Sequence, residues 1–248
     1  MINSLNINVR AITTDDLRMY LSDYQNDSKA SKASIDNIRR NLSSFFGWLE
    51  DENYILKSPV RRIHKIKTTT VVKEAYSDDE MENLRDACRE IRDLALIDML
   101  SSTGMRIGEL VQLNIKDINF DERECIVLGK GDKERIVYFD ARTKIHLQEY
   151  VDSRNDDNEA LFVGLRSPHQ RISINGVELR IRQIGNKAGI KKCHPHKFRR
   201  TMATMAIDKG MPIEQVQRLL GHEKIDTTLQ YAIVKQSNVK NAHRKYIG

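Results

Sequence analysis

The sequence predicts a mainly α protein (α+β), with two helical domains of unequal size and one small antiparallel sheet in the larger. Three observations predict it. Apolar residues recur at spacings of three and four over Lys32–Asp51, the period of a helix packed on one side. Ser77-Asp78-Asp79-Glu80 carries a helix-start signature. Two short β-like runs flank a turn-rich segment between Glu124 and Phe139.

A chain of 248 residues allows one large domain or two modest ones, and can bury a core without staples. Hydrophobic residues make up 40% and charged residues 31%, as in a globular chain that folds in water. No apolar run approaches the roughly 20 residues of a membrane-spanning helix. The first residues show no basic region followed by an apolar stretch, so no secretory signal is read there. Cys88, Cys125 and Cys193 are odd in number and widely spaced. They suggest neither a disulfide framework nor a Cys-x-x-Cys zinc site. A cytoplasmic location is the expectation. The net charge of +6 and pI of about 9.1 suit a nucleic-acid partner, because Lys and Arg release counterions from a phosphate backbone. On charge alone, a basic enzyme with no such partner stays open.

The first helix is signalled by caps and acids at Ile12-Thr13-Thr14-Asp15-Asp16, followed by Leu17, Tyr20 and Leu21. The second carries Ile35, Ile38, Leu42, Phe45, Phe46 and Leu49 on its apolar stripe, and Trp48 is expected to join the core. Lys32, Arg39 and Arg40 stand on its other side and are candidates for DNA contact, or simply a solvated face. From Pro59 to Ser77 no amphipathic period survives. Arg61, Arg62, Lys65 and Lys67 lie there, and residues 67–76 are expected to form a basic linker. These four cations can follow a phosphate backbone or only solvate a connector. The domains are thus placed at 1–66 and 77–248.

In the second domain, helices are expected over Ser77–Arg89, Ile91–Ser102 and Arg106–Leu113, with Gly104 breaking the second. The β-hairpin pairs Glu124–Leu128 with Arg135–Phe139. Helices then resume over Ala141–Ser153, Ser173–Ala188, His196–Lys209, Pro212–Leu220 and Thr227–Ala232.

Four segments carry candidate chemistry. Arg106 and Glu109, three apart on a helix, share a face where a carboxylate can hold a guanidinium, although a surface ion pair would look the same. Lys130, between Gly129 and Gly131, sits with Lys133 at the hairpin turn, where a plain charged hairpin is the alternative. His196 and Arg199 set a proton donor beside a permanent cation, which suits an anionic substrate. No carboxylate or thiolate pattern completes a metal site there, although Cys193 is near. His222 follows Gly221, a helix C-cap, and Tyr231 comes nine residues later; taken alone, such a tyrosine is usually a packing residue.

Together, Arg106, Lys130, His196-x-x-Arg199, Leu-Gly-His222 and Tyr231 stand in the order and context of the tyrosine recombinase (phage integrase) family, which the chain resembles from about Ser77 onward. The amino-terminal segment resembles that family's helical, SAM-like core-binding domain. Only 11 residues precede Ile12, so its first helix is expected to be missing, through truncation or a reduced DNA clamp, and no arm-binding domain is expected. The family often has His where this chain has Arg200, a further candidate for DNA contact.

The resemblance implies a C-shaped clamp on duplex DNA and a site made of Arg106, Lys130, His196, Arg199 and His222, with Tyr231 as nucleophile and Glu109 in support. It implies cleavage and rejoining through a 3′-phosphotyrosyl bond without metal or ATP. It also implies a homotetramer on paired sites, exchanging carboxy-terminal tails, with accessory DNA-bending proteins as further partners. The run from His194 to Tyr246 is similar to integrases of conjugative transposons, so integration or excision of a mobile element is expected. A chromosome-dimer resolvase of the same family is the alternative. A type IB topoisomerase, a non-catalytic DNA-binding regulator and a metal-dependent nuclease are less favoured. The tail after Tyr231 speaks against the first, the presence of Arg106, Arg199 and Tyr231 against the second, and the missing carboxylate cluster against the third.

Overall fold

The computed structural model describes residues 8–67, 74–129, 134–221 and 225–229. The chain divides into two compact units, Met1–Val72 and Lys73–Gly248.

In the first unit, helix α1 spans Thr14–Ser28. Thr13 and Asp16 cap it reciprocally: the Asp16 amide donates to the Thr13 hydroxyl, and the Thr13 amide to the Asp16 carboxylate. Helix α2 spans Lys32–Asp51 behind a Ser31 cap. Leu17, Leu21, Ile35, Leu42, Phe46 and Leu49 form the core between them, with Ile12 and Val60. Trp48, expected from the sequence to join this core, does not: it is 51% exposed. Phe46 and Leu49 already fill the inward stripe, and Trp48 lies about 100° around the helix from Leu49. It packs instead with Phe45 and Tyr54, at ring separations of 6.4 and 5.8 Å.

Asp36 takes a buried place on α2. It accepts from Arg39 Nε at 2.8 Å, Arg40 Nε at 3.0 Å and the Ile66 amide at 3.1 Å. The stretch after α2 is therefore held. Its Pro59–Arg62 3-10 turn buries Val60, the Pro59 carbonyl accepts from Thr14, and Arg61 pairs with Glu50 at 2.7 Å.

The second unit opens with α3, Asp78–Asp86, behind the reciprocal Ser77–Glu80 cap that the sequence signals. Helix α4, Ile91–Thr103, is buried on nearly every side, with Ala95, Leu96, Ile97, Met99 and Leu100 all inside. A helix buried this fully belongs in the centre of the core, and its buried acids are paired, Asp93 with Arg92 and Arg180 and Asp98 with Arg85. It ends at Gly104, whose φ of 61° is the left-handed conformation that glycine adopts without strain. Helix α5 spans Ile107–Gln112, and Arg106 precedes it as an extended N-cap rather than a helical residue.

The sheet has three antiparallel strands in chain order, β1 Ile118–Asn119, β2 Glu124–Leu128 and β3 Glu134–Tyr138. Ile126 faces Ile136, and Val127 faces Arg135. The sequence reading missed β1, since two residues are too few to show an alternation. Helices α6 (Ala141–Asp152), α7 (Ile174–Lys187), α8 (Pro195–Asp208), α9 (Ile213–Leu220) and α10 (Ile225–Leu229) follow among the described residues. Helix α4 packs against α6 and α8. Met202 and Ala203 of α8 meet Val216 and Leu220 of α9 in a small separate cluster. Among the described residues, no helix is long and apolar enough to cross a membrane.

Candidate active site

At the carboxyl end of α9, side chains from three distant segments of the second unit converge. A helix leaves its last carbonyls without partners inside the helix, and carries partial negative charge there. Three arginines, far apart in sequence, donate to three successive carbonyls. Arg135 Nε donates to Leu219 at 3.1 Å, Arg199 Nη2 to Leu220, and Arg106 Nη2 to Gly221 at 3.2 Å. They fix the chain just before position 222.

Arg199 projects from α8, which starts with Pro195 at its first turn and His194 as its cap. Its side chain is buried, and Nη1 donates to the Gly104 carbonyl at 2.7 Å. His196, a turn earlier on the same helix, is exposed. Gly104 and Gly221 both have a φ of 61°. A Cβ on Gly104 would stand 2.4 Å from Met202 Cε, and one on Gly221 3.0 Å from Arg135 Cδ. Glycine at these turns thus serves both backbone conformation and close approach.

Arg106 is held by Glu109, as the sequence spacing suggests. The Glu109 carboxylate accepts the Arg106 amide at 2.7 Å and Nη1 at 2.9 Å. It is not a surface ion pair: Glu109 is buried, and a second guanidinium closes on it. Arg135 reaches it with Nη1 at 2.8 Å and Nη2 at 2.7 Å, a two-pronged pairing. Burial alone would raise the Glu109 carboxyl, but the hydrogen bonds from Arg135 and Arg106 outweigh it and hold the group below its ordinary range. Arg106 and Arg135 share this one carboxylate, so the pair keeps a positive charge suited to an anion.

Sequence reasoning missed Arg135. Its signal was the strand alternation, because Arg135 falls on the same face as buried Val137 and opposite buried Val127. Strands β2 and β3 flank residues 129–133 in the chain, which include Lys130 and Lys133. Those two residues, His222 and Tyr231 lie outside the described residues.

The start of α8 is braced from the segment before α3. The Tyr76 hydroxyl donates to Cys193 Sγ at 3.0 Å, its amide donates to Thr201 at 2.8 Å, and Lys197 Nζ lies 4.1 Å from its ring centroid. Burial pushes the Tyr76 phenol well above its ordinary value, so this tyrosine is a strut. Arg200, read from the sequence as a DNA contact, donates to the Glu74 carbonyl at 2.9 Å. In the first unit, Lys32, Arg62, Lys65 and Lys67 are exposed, Arg39 and Arg40 pair with Asp36, and Arg61 pairs with Glu50.

Known proteins resemble this chain over most of its length. The pattern described as the phage integrase family matches residues 74–238, and the phage integrase N-terminal SAM-like domain matches residues 1–56. A relative named tyrosine recombinase XerC, from Oceanobacillus iheyensis, is 31% identical over 248 residues, covering 94% of this chain and 80% of that protein. The crystal structure of XerA recombinase is similar at 28% identity and a TM-score of 0.64, covering 100% of this chain and 88% of that one. The Tn1549 transposon integrase in complex with a circular intermediate DNA shares the fold, with a TM-score of 0.79 at 18% identity, covering 98% and 90% of the two chains. The chain belongs to the phage integrase family and is a tyrosine-type site-specific recombinase.

Proposed function

We propose that the protein cleaves and rejoins duplex DNA at specific sites, with Tyr231 as nucleophile. The observation that carries this reading is the convergence of Arg106 and Arg199 at the end of α9, the turn that leads into His222. Attack on a phosphodiester builds negative charge on its non-bridging oxygens, and two fixed guanidiniums stabilise that charge. The Tyr231 phenol has a reference pKa of roughly 10 and must give up its proton as its oxygen bonds to phosphorus. His196, exposed on α8, is assigned as the base. Lys130, between β2 and β3 in the chain, protonates the departing 5′ oxygen, and His222 donates to the phosphate. A 3′-phosphotyrosyl bond forms as the phosphorus–O5′ bond breaks. Attack by a 5′ hydroxyl reverses the step, so the ester keeps the bond energy and no ATP is consumed.

The assembly that fits this chemistry is a homotetramer on two DNA sites, with carboxy-terminal tails exchanged and accessory bending proteins in support. Residues 1–66 would form the core-binding domain and residues 67–76 the linker. The relatives named XerC, at about 30% identity over most of the chain, favour the chromosome-dimer resolvase over the mobile-element integrase. The integrase reading keeps the similarity of residues 194–246 to conjugative-transposon enzymes and the fold shared with the Tn1549 integrase. The two readings separate when covalent complexes are trapped in host cells and the attached DNA is sequenced. A resolvase maps to one chromosomal site, and an integrase to the ends of an element.

A further inference from the structure

We propose that Arg135 is a positioning residue of this active site: it locks the returning strand of the Lys130 hairpin both to the carboxylate that holds Arg106 and to the helix end that leads into His222. The proposal rests on the assignment of those residues above. Its basis is the set of contacts one guanidinium makes. From β3, Arg135 gives Nη1 and Nη2 to the two oxygens of Glu109 at 2.8 and 2.7 Å, and turns Nε to the Leu219 carbonyl at 3.1 Å. Its side chain is 13% exposed, so these bonds are made largely out of water.

No other side-chain type matches that pattern. A planar guanidinium offers a two-pronged face to a carboxylate and a separate Nε–H to a carbonyl. An ammonium is a point charge, able to pair with Glu109 but not to hold Leu219 in the same geometry. The site has been shaped around the fork. Gly221 has no Cβ, and one placed there would stand 3.0 Å from Arg135 Cδ and 3.1 Å from Nε. Strand β3 is paired with β2 up to Leu128–Glu134, the last pair before residues 129–133, which include Lys130. A shift of Arg135 therefore moves the hairpin, Glu109 and the turn after Leu220 relative to one another. Arg135 is assigned no contact with a reacting atom, whereas Arg106, held by the same carboxylate, and Arg199 are assigned to the phosphate.

The test compares wild type with Arg135→Ala and Arg135→Lys on a nicked suicide duplex that traps the covalent adduct. Single-turnover cleavage, DNA affinity by mobility shift and the melting curve are measured for each. Cleavage is expected to fall about a hundredfold in both variants, as for a misplacement of about 1 Å. DNA affinity is expected to stay within about twofold of wild type. Failure of lysine to restore the rate is the decisive result, because an ion pair serving only stability would be rescued by lysine. If Arg135→Ala does not fold, Arg135→Lys carries the comparison alone. Cleavage by folded Arg135→Lys within about threefold of wild type would overturn the proposal, as would a loss of DNA affinity that accounts for the lost rate. A wild-type protein that forms no adduct, or a Tyr231→Phe variant that still does, overturns the underlying assignment instead.

Discussion

Arg199 on α8 donates Nη1 to the main-chain carbonyl of Gly104, 95 positions earlier in the chain and 2.7 Å away. One guanidinium thus ties the end of the central helix α4 to the helix that bears His196. Its other nitrogen reaches Leu220 at the end of α9. Arg199→Lys keeps the charge and loses this two-sided grip. We expect single-turnover cleavage to fall by about 100- to 1,000-fold, the range for removal of one stabilising donor. DNA affinity should change little, and the measurement is adduct formation against time, at saturating protein.

Glu109 is buried beneath Arg106 and Arg135. Glu109→Gln keeps the shape but removes the charge that both guanidiniums share, leaving two cations with no countercharge in a partly buried place. Breaking such a pair costs about 3–5 kcal/mol. A denaturant titration should show that loss, together with slower cleavage by the fraction that stays folded. A variant as stable and as fast as wild type would show that Glu109 does not hold Arg106.

Gly221 adopts a φ of 61° with Arg135 packed against it. Gly221→Ala puts a Cβ into a left-handed backbone, at a cost of about 1–2 kcal/mol. It also pushes Arg135 aside, so cleavage should fall more than stability does. Comparing the two losses in one preparation checks this.

Asp36 is an acid-sensitive point of the first unit. The Arg39 guanidinium, then the Ile66 amide and Arg40, hold its carboxyl down to about 2 against the pull of burial. The ordinary value for the unfolded chain is about 3.9. A carboxylate depressed in this way stabilises the fold fully above about pH 4, and that contribution is lost as pH falls through about 2. Trp48 is the one tryptophan of the chain, and it lies in α2 beside this unit's core. An acid titration followed by its fluorescence should show a transition in the wild type between about pH 4 and 2. In Asp36→Asn that pH dependence should be weaker, and the protein less stable at neutral pH.

Much of the frame was legible in the sequence because it is written in local rules. The Ser77–Glu80 cap, the break at Gly104 and the Arg106–Glu109 spacing each need only three or four neighbouring residues. The features that escaped depend on distant partners. Asp36 reads as one more acid on a charged helix until the Ile66 amide arrives from 30 residues away. Arg135 reads as a charge in a hairpin until α9 and Glu109 close on it. Trp48 misled for the opposite reason: size and aromaticity suggest burial, but the helix phase decides it. Lys130, His222 and Tyr231 lie outside the described residues, so their roles rest on the sequence and on the framework around them.

The most direct test is the covalent bond itself. A nicked suicide duplex bearing the recombination site is incubated with wild type and with Tyr231→Phe, and denatured products are separated by size. The account predicts a protein–DNA adduct on the 3′ phosphate in the wild type, unaffected by a chelator, and none in Tyr231→Phe. An adduct that persists in Tyr231→Phe, or cleavage that stops when the chelator is added, would contradict it.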